Sequence, residues 1–204
     1  SGNGKLEVLS QLMRLRQICC DPALCFEDYT GESAKLETCV LLIASASAAG
    51  HKILLFSQFA SMLGRIRERL LQEGISSHLL VGATPKEERS RMVQAFASDE
   101  VPVFLISLKA GGTGLNLTAA DIVIHYDPWW NVASQTQATD RAYRIGQEKP
   151  VTVYKLILKD TIEENLLKLQ NAKLALAAQV VSEGMVSLGD LSQNELMELF
   201  EQNP

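Results

Sequence analysis

Two stretches of this sequence carry residue types and spacings suited to work on a phosphate. The first is Ser107-Leu108-Lys109-Ala110-Gly111-Gly112-Thr113-Gly114-Leu115-Asn116-Leu117. Gly111, Gly112 and Gly114 let the backbone come close to a ligand and turn several N–H groups into one concavity. The hydroxyls of Ser107 and Thr113 and the amine of Lys109 surround it. That set suits a phosphate group. A tight turn after a strand is the other reading. The segment is not a Walker A loop, because the Gly-Lys-Ser/Thr ending is missing there and everywhere else in the chain. The chain therefore has no loop of the usual kind to cradle β- and γ-phosphates.

The second stretch is Gln137-Ala138-Thr139-Asp140-Arg141-Ala142-Tyr143-Arg144-Ile145-Gly146-Gln147. As a helix ending at Gly146, it puts Gln137, Arg141 and Arg144 on one face, at i, i+4 and i+7. Two guanidinium groups and an amide on one stripe can grip a polyanion through several rigid, charge-assisted hydrogen bonds. A solvated helix surface, with Asp140 paired to Arg144, is the alternative that spacing alone leaves open.

The elements that must position these groups follow from pattern. Short runs rich in Val, Ile and Leu predict strands at Lys52–Phe56, Ser77–Val81, Val103–Ile106, Ile122–Tyr126 and Thr152–Ile157, with helical stretches between them. This alternation predicts an α/β fold, a parallel sheet with helices on both faces. In such sheets the working groups lie beyond the carboxyl ends of the strands, here just after Phe56, Ile106 and Tyr126. Thr84, Pro85 and Glu87 read as a capping box opening the helix up to Ala97.

Helices flank the sheet region on both sides. Leu6, Leu9, Leu12, Met13 and Ile18 recur at helical spacing, which leaves Arg14, Arg16 and Gln17 for the remaining surface. Asp21-Pro22 ends that run. A second helix, Lys35 to Ala49, stops at Gly50. Beyond the sheet, Asp160 with Glu163 reads as the cap of one helix, and Ser192 with Glu195 as the cap of a last one ending near Phe200. These flanking helices either pack back on the sheet or brace a partner lobe. Three parts result: 1–50, 51–159 and 160–204.

The 204 residues carry a net charge of −5 and are 47% hydrophobic. The charge excludes a broad basic coat for nucleic acid, so any DNA contact must be local. The longest apolar patch, Cys39 to Ala49, is too short to cross a bilayer. The polar opening residues carry no leader pattern. Cys19, Cys20, Cys25 and Cys39 form no Cys-x-x-Cys pair and have no His beside them, so structural, reduced thiols are expected and no metal site. His51, His78 and His125 are scattered and are assigned no chemistry.

The ordered set Lys52–Phe59 (KILLFSQF), Ser107–Leu117 (SLKAGGTGLNL), Asp127–Asn131 (DPWWN) and Gln137–Gln147 (QATDRAYRIGQ) resembles motifs IV, V and VI of superfamily-two helicases. The ending Arg-Ile-Gly-Gln resembles the Swi/Snf-type branch rather than the RNA helicases, and the Trp129-Trp130 spelling looks more like bacterial members. The flanks agree. Leu15-Arg16-Gln17-Ile18-Cys19 with Asp21-Pro22 resembles the helix entering this lobe, Ser33-Ala34-Lys35-Leu36 its Ser-Gly-Lys-Leu start, and Thr161-Ile162-Glu163-Glu164 its brace-like helix. Tyr143, Val81 and Val132 depart from the family's frequent His, Asp and Pro, but none removes a charge from motif VI.

What the resemblance implies is the C-terminal, RecA-like lobe of a DNA-dependent ATPase. ATP and Mg2+ would be held mainly by a first RecA-like lobe. Arg141 and Arg144 would be catalytic arginine fingers, with Gln137, Gly114 and Asn116 at the nucleotide. Gln58, Arg89, Lys109 and Thr113 would meet the backbone of double-stranded DNA. Trp129 and Trp130 would either stack on a ligand or anchor the following helix. Further implied partners are the first lobe itself and a DNA-bound protein complex that is remodelled. The location would be the bacterial cytoplasm and nucleoid, or the nucleus. Arginine fingers are worth ~10³–10⁵ in rate, or roughly 4 to 7 kcal/mol, so this lobe alone is expected to be inactive. A non-catalytic scaffold and an RNA helicase lobe are the alternatives.

Overall fold

Five short runs pair into one parallel sheet: the three central ones are aliphatic and buried along their whole length, so they need cover on both faces, while the edge runs are partly buried at Ser77–Leu80 and exposed at Thr152–Lys155. The computed structural model describes residues 2–108, 110, 115–129, 136, 138–140 and 149–179. The strands are β1 (Ile53–Ser57), β2 (Ser77–Leu80), β3 (Val103–Ser107), β4 (Ile122–His125) and β5 (Thr152–Lys155), in the order β2-β3-β1-β4-β5. Each ran within two residues of its predicted span. β1 lies centrally, with Ile53 beside both Val103 and Ile122. This is the parallel α/β sheet expected from the alternating pattern, in the RecA-like form that the family resemblance implies.

Strand alternation splits the core. Ile53, Leu55, Leu105, Ile124 and Tyr126 pack with residues of α2 (Ala34–Ala48) and α3 (Ala60–Gln72). Leu54, Phe56, Phe104, Ile106 and Val123 pack on the other face with Phe96 of α4 (Lys86–Phe96), Ala110, Leu115, Leu117 and Trp129. The loop after β3 and the turn after β4 therefore share one apolar layer. α2 ends as its sequence suggests, with Gly50 at φ +81° taking the left-handed turn, and it opens on a cap in which Ser33 Oγ accepts from the Leu36 N–H.

Three local expectations needed correction. α4 starts at Lys86 with Pro85 at its N-cap, not at Pro85 under a Thr84–Glu87 capping box. The Thr84 hydroxyl is spent on its own turn, accepting the Val81 N–H at 3.1 Å. The last described helix, α5 (Ile162–Gln179), is capped one residue later than expected. Thr161 Oγ1 accepts the Glu163 N–H, and Glu164 accepts the Asp160 N–H. Glu163 itself is buried and does something else.

The third correction concerns α1 (Gly2–Cys20). Leu6 and Met13 are exposed, whereas Arg16, expected on the surface, is only 2% exposed. Leu12 and Cys19 of α1 instead pack with Ile162 and Leu166 of α5. The helix turns its arginine inward because a buried carboxylate waits there.

Lys35 of α2 and Glu163 of α5 form a deeply buried ion pair. Lys35 Nζ lies 2.6 and 2.7 Å from the two carboxylate oxygens, with side chains 4% and 0% exposed. Glu163 Oε2 also accepts the Leu158 N–H at 2.9 Å. Burial pushes the Glu163 carboxyl above its ordinary range, and Lys35 opposes that rise. Removing one partner of such a pair strands a buried charge, whereas replacing both with apolar groups is often neutral. Glu163→Gln is therefore expected to cost about 3–5 kcal/mol in denaturant unfolding, and Lys35→Met with Glu163→Leu to recover most of it. An additive loss in the double variant would show that the pair is not the tie between α2 and α5.

Candidate functional site

β1 and β4 end side by side, and their ends are built around the Asp127 carboxylate. Ser57 Oγ donates to Asp127 Oδ1 at 2.5 Å, and the Gln58 N–H donates to the same oxygen at 3.2 Å. The Arg16 guanidinium stands 3.7 Å from Oδ2. Asp127 is 1% exposed. Burial pushes its carboxyl upward; Arg16 above all, then the Ser57 hydroxyl and Lys35, pulls it back. A cation from α1 and donors from the end of β1 thus oppose the cost of burying this carboxylate.

The next two residues are held as well. Pro128 O accepts from Arg16 Nη2 at 2.7 Å and from Gln58 Nε2 at 2.8 Å. Trp129 is buried edge-on against Phe56 and His125, with centroids 6.0 and 5.5 Å away. Of the two roles open to this indole, the anchor is the one its burial fits. Tyr126, just before Asp127, donates from its hydroxyl to Cys20 O at 2.8 Å, and Lys35 Nζ sits 5.2 Å from its ring centre.

The loop after β3 meets the same edge. Ser107 is buried, and its hydroxyl has no hydrogen-bond partner among the described residues. Arg89, on α4, sends Nη1 to Ala110 O at 3.2 Å, so its guanidinium reaches the backbone at the start of the glycine segment. Asn116 is exposed between buried Leu115 and Leu117, which pin the loop by its apolar side.

Of the site residues expected from sequence, Gln58, Arg89 and Asn116 are described; Gln58 and Arg89 stand at the carboxyl edge of the sheet, and Asn116 is exposed in the segment that runs from β3 to β4. Gln137, Arg141, Arg144, Gly114, Lys109, Thr113 and Trp130 lie outside the described residues, as does the helix expected at Ser192–Phe200. Thr139 is described; its hydroxyl lies 3.0 Å from His125 Nε2, so the motif VI segment touches β4. Sequence reasoning missed Arg16, Lys35 and Glu163. Spacing assigns Arg16 to the helix surface and Glu163 to a helix cap, and Lys35 is marked only by the resemblance of Ser33-Ala34-Lys35-Leu36 to the family's segment. Among the described residues, no group of three His, Cys, Asp or Glu side chains could hold a metal ion. Cys19, Cys20 and Cys39 are buried free thiols, and burial raises Cys39 to about 12.

These features define a RecA-like lobe whose strand ends carry helicase motifs IV, V and VI. The chain belongs to the helicase conserved C-terminal domain family, matched over residues 34–146, and to its Swi/Snf-type branch. It is 45% identical to the putative ATP-dependent helicase/translocase YwqA of Bacillus subtilis, over 96% of this chain and 22% of that protein. It is 34% identical to the mouse SWI/SNF-related matrix-associated actin-dependent regulator of chromatin subfamily A member 1, over 96% of this chain and 20% of that one. The chain thus spans about a fifth of the length of these curated relatives. Among solved structures, the Sulfolobus solfataricus SWI2/SNF2 ATPase C-terminal domain matches with a TM-score of 0.74 at 34% identity, covering 96% of this chain and 81% of that one. The same organism's ATPase core in complex with dsDNA matches with a TM-score of 0.77 at 36% identity, covering 96% and 42%.

His125 gives the edge a pH signature. Burial, helped by Lys155, lowers it from its ordinary 6.5 to about 4. The unfolded chain therefore binds a proton that the folded chain refuses between those values, and stability falls as pH drops through that window. The stability gap between wild type and His125→Gln is expected to shift by about 3 kcal/mol against wild type between pH 7 and 4, read by denaturant unfolding. A gap independent of pH would mean that His125 titrates normally.

Proposed function

We propose that this chain is the second motor lobe of an ATP-driven translocase on double-stranded DNA, supplying arginine fingers to a site whose other half lies on a first RecA-like lobe. The observation that carries this reading is the likeness, across nearly the whole chain, to an archaeal SWI2/SNF2 ATPase core solved with dsDNA. The motif spellings support it at the level of single residues.

In this reading Arg141 and Arg144 close on the γ-phosphoryl group, and their fixed charge stabilises the negative charge that develops there. Gln137 joins the same contact; Gly114 and Asn116 approach the nucleotide from the loop after β3. ATP and magnesium are held mainly by the first lobe, the magnesium neutralising phosphate charge during transfer. Lys109 and Thr113 meet the DNA backbone. Arg89, already bonded to the Ala110 carbonyl, shapes that loop from behind. Contacts to phosphates carry no base information and permit stepping along the duplex. Closure and opening of the cleft with each ATP moves one lobe's grip relative to the other, and a DNA-bound protein complex in the path is displaced or remodelled.

The full-length protein is expected to hydrolyse ATP in a duplex-DNA-stimulated manner, and Arg144→Ala to cut kcat by ~10³-fold or more while nucleotide binding persists. Near-wild-type turnover in that variant would remove the finger assignment and leave the scaffold reading. Stronger stimulation by RNA than by duplex DNA would favour an RNA helicase lobe.

A further inference from the structure

Two side chains from distant parts of the chain meet on a single backbone oxygen. Arg16, on α1, and Gln58, just after β1, both donate to the Pro128 carbonyl, across 112 and 70 residues of sequence. A carbonyl oxygen has two lone pairs, and two donors saturate it. The flanking residues are equally constrained. Asp127 is fixed by Ser57, the Gln58 N–H and Arg16; Trp129 is wedged against Phe56 and His125. The Arg16 guanidinium also lies 5.8 Å from the centre of the Phe59 ring, so its plane is packed as well as bonded.

Arg16 is buried, so it meets no outside ligand. Gln58 is half-buried, and one of its two amide N–H groups is spent on the Pro128 carbonyl, which turns the side chain toward the β4 exit. What both residues control is the direction in which the chain leaves β4, and this is the segment that leads to Gln137, Arg141 and Arg144.

We propose that Arg16 and Gln58 are positioning residues that jointly clamp the Pro128 carbonyl and thereby aim the arginine stripe, with neither one contacting DNA or nucleotide. The proposal rests on the reading of Arg141 and Arg144 as fingers. A finger acts only when its charge sits where charge develops, and a misplacement of about 1 Å can cost about 100-fold in rate. Gln58 thus moves from the DNA contact suggested by its motif to a role behind the catalytic groups, and Arg16 joins it from outside the motifs.

The test uses Gln58→Ala and Arg16→Lys in the full-length protein, with three readouts. Lys keeps the positive charge beside Asp127 but loses the fork that serves Asp127 and Pro128 together. Each variant is expected to lower the kcat of DNA-stimulated ATP hydrolysis about 10-fold, with the KM for ATP and the Kd for duplex DNA within about twofold of wild type. Hydrogen exchange in the peptide covering Asp127–Trp129 is expected to quicken in both. The proposal is overturned if Gln58→Ala recovers wild-type turnover at saturating DNA, which would make Gln58 a DNA contact. It is equally overturned if kcat and exchange are both unchanged in Gln58→Ala. Arg16→Lys adds a second arm, and Gln58→Ala decides alone if the lysine variant fails to fold. Failure of the functional reading looks different: the wild type would show no DNA-stimulated turnover, and the exchange readout would still report whether the clamp exists.

Discussion

A carboxylate buried at the end of a central strand is the constraint around which this lobe is arranged. Asp127 has left water at a cost that only nearby donors and cations offset. Arg16 comes from α1, Ser57 and Gln58 from the end of β1. Lys35 acts on Asp127 from α2 and pairs directly with Glu163 of α5. Two cations and two anions thus join the entering helix, the second helix, the strand end and the C-terminal helix. The flanks are therefore structural parts of the working edge, since withdrawing α1 or α5 would strand a buried charge.

The same edge holds the described ends of two loops. After β3, Ala110, Leu115 and Leu117 are buried in one apolar layer and Arg89 donates to the Ala110 carbonyl; the exit from β4 is held at Asp127, Pro128 and Trp129. Functional side chains on loops are effective when the scaffold beneath them is over-determined. Here the scaffold is the apolar layer that both loops share with α4.

The sheet was legible because aliphatic runs and turn residues are local signals: all five strands and the stop at Gly50 could be read directly. The cap of α4 was not, because Thr84 had a competing local partner in the Val81 N–H. Arg16 was misread because helical periodicity ranks residues by hydrophobicity, and a buried arginine breaks that rule only when a carboxylate distant in sequence faces it. Lys35 and Glu163 are 128 residues apart, beyond any spacing rule. The stripe Gln137, Arg141 and Arg144 is ambiguous as a pattern; the spelling of its neighbours gave it a role. Gln58 shows the reverse. Its motif suggested DNA, and its hydrogen bond to Pro128 points inward.

A lobe of this kind holds half of a reaction. In the proposed reading it contributes Gln137, Arg141 and Arg144, and, since no Walker loop occurs in these 204 residues, chemistry requires a second body to close upon it. The most direct measurement is steady-state ATP turnover by the 204-residue chain and by the full-length protein, each with and without duplex DNA. The account predicts no appreciable turnover from the chain under either condition, and DNA-stimulated turnover from the full-length protein. Robust hydrolysis by the chain alone would contradict it.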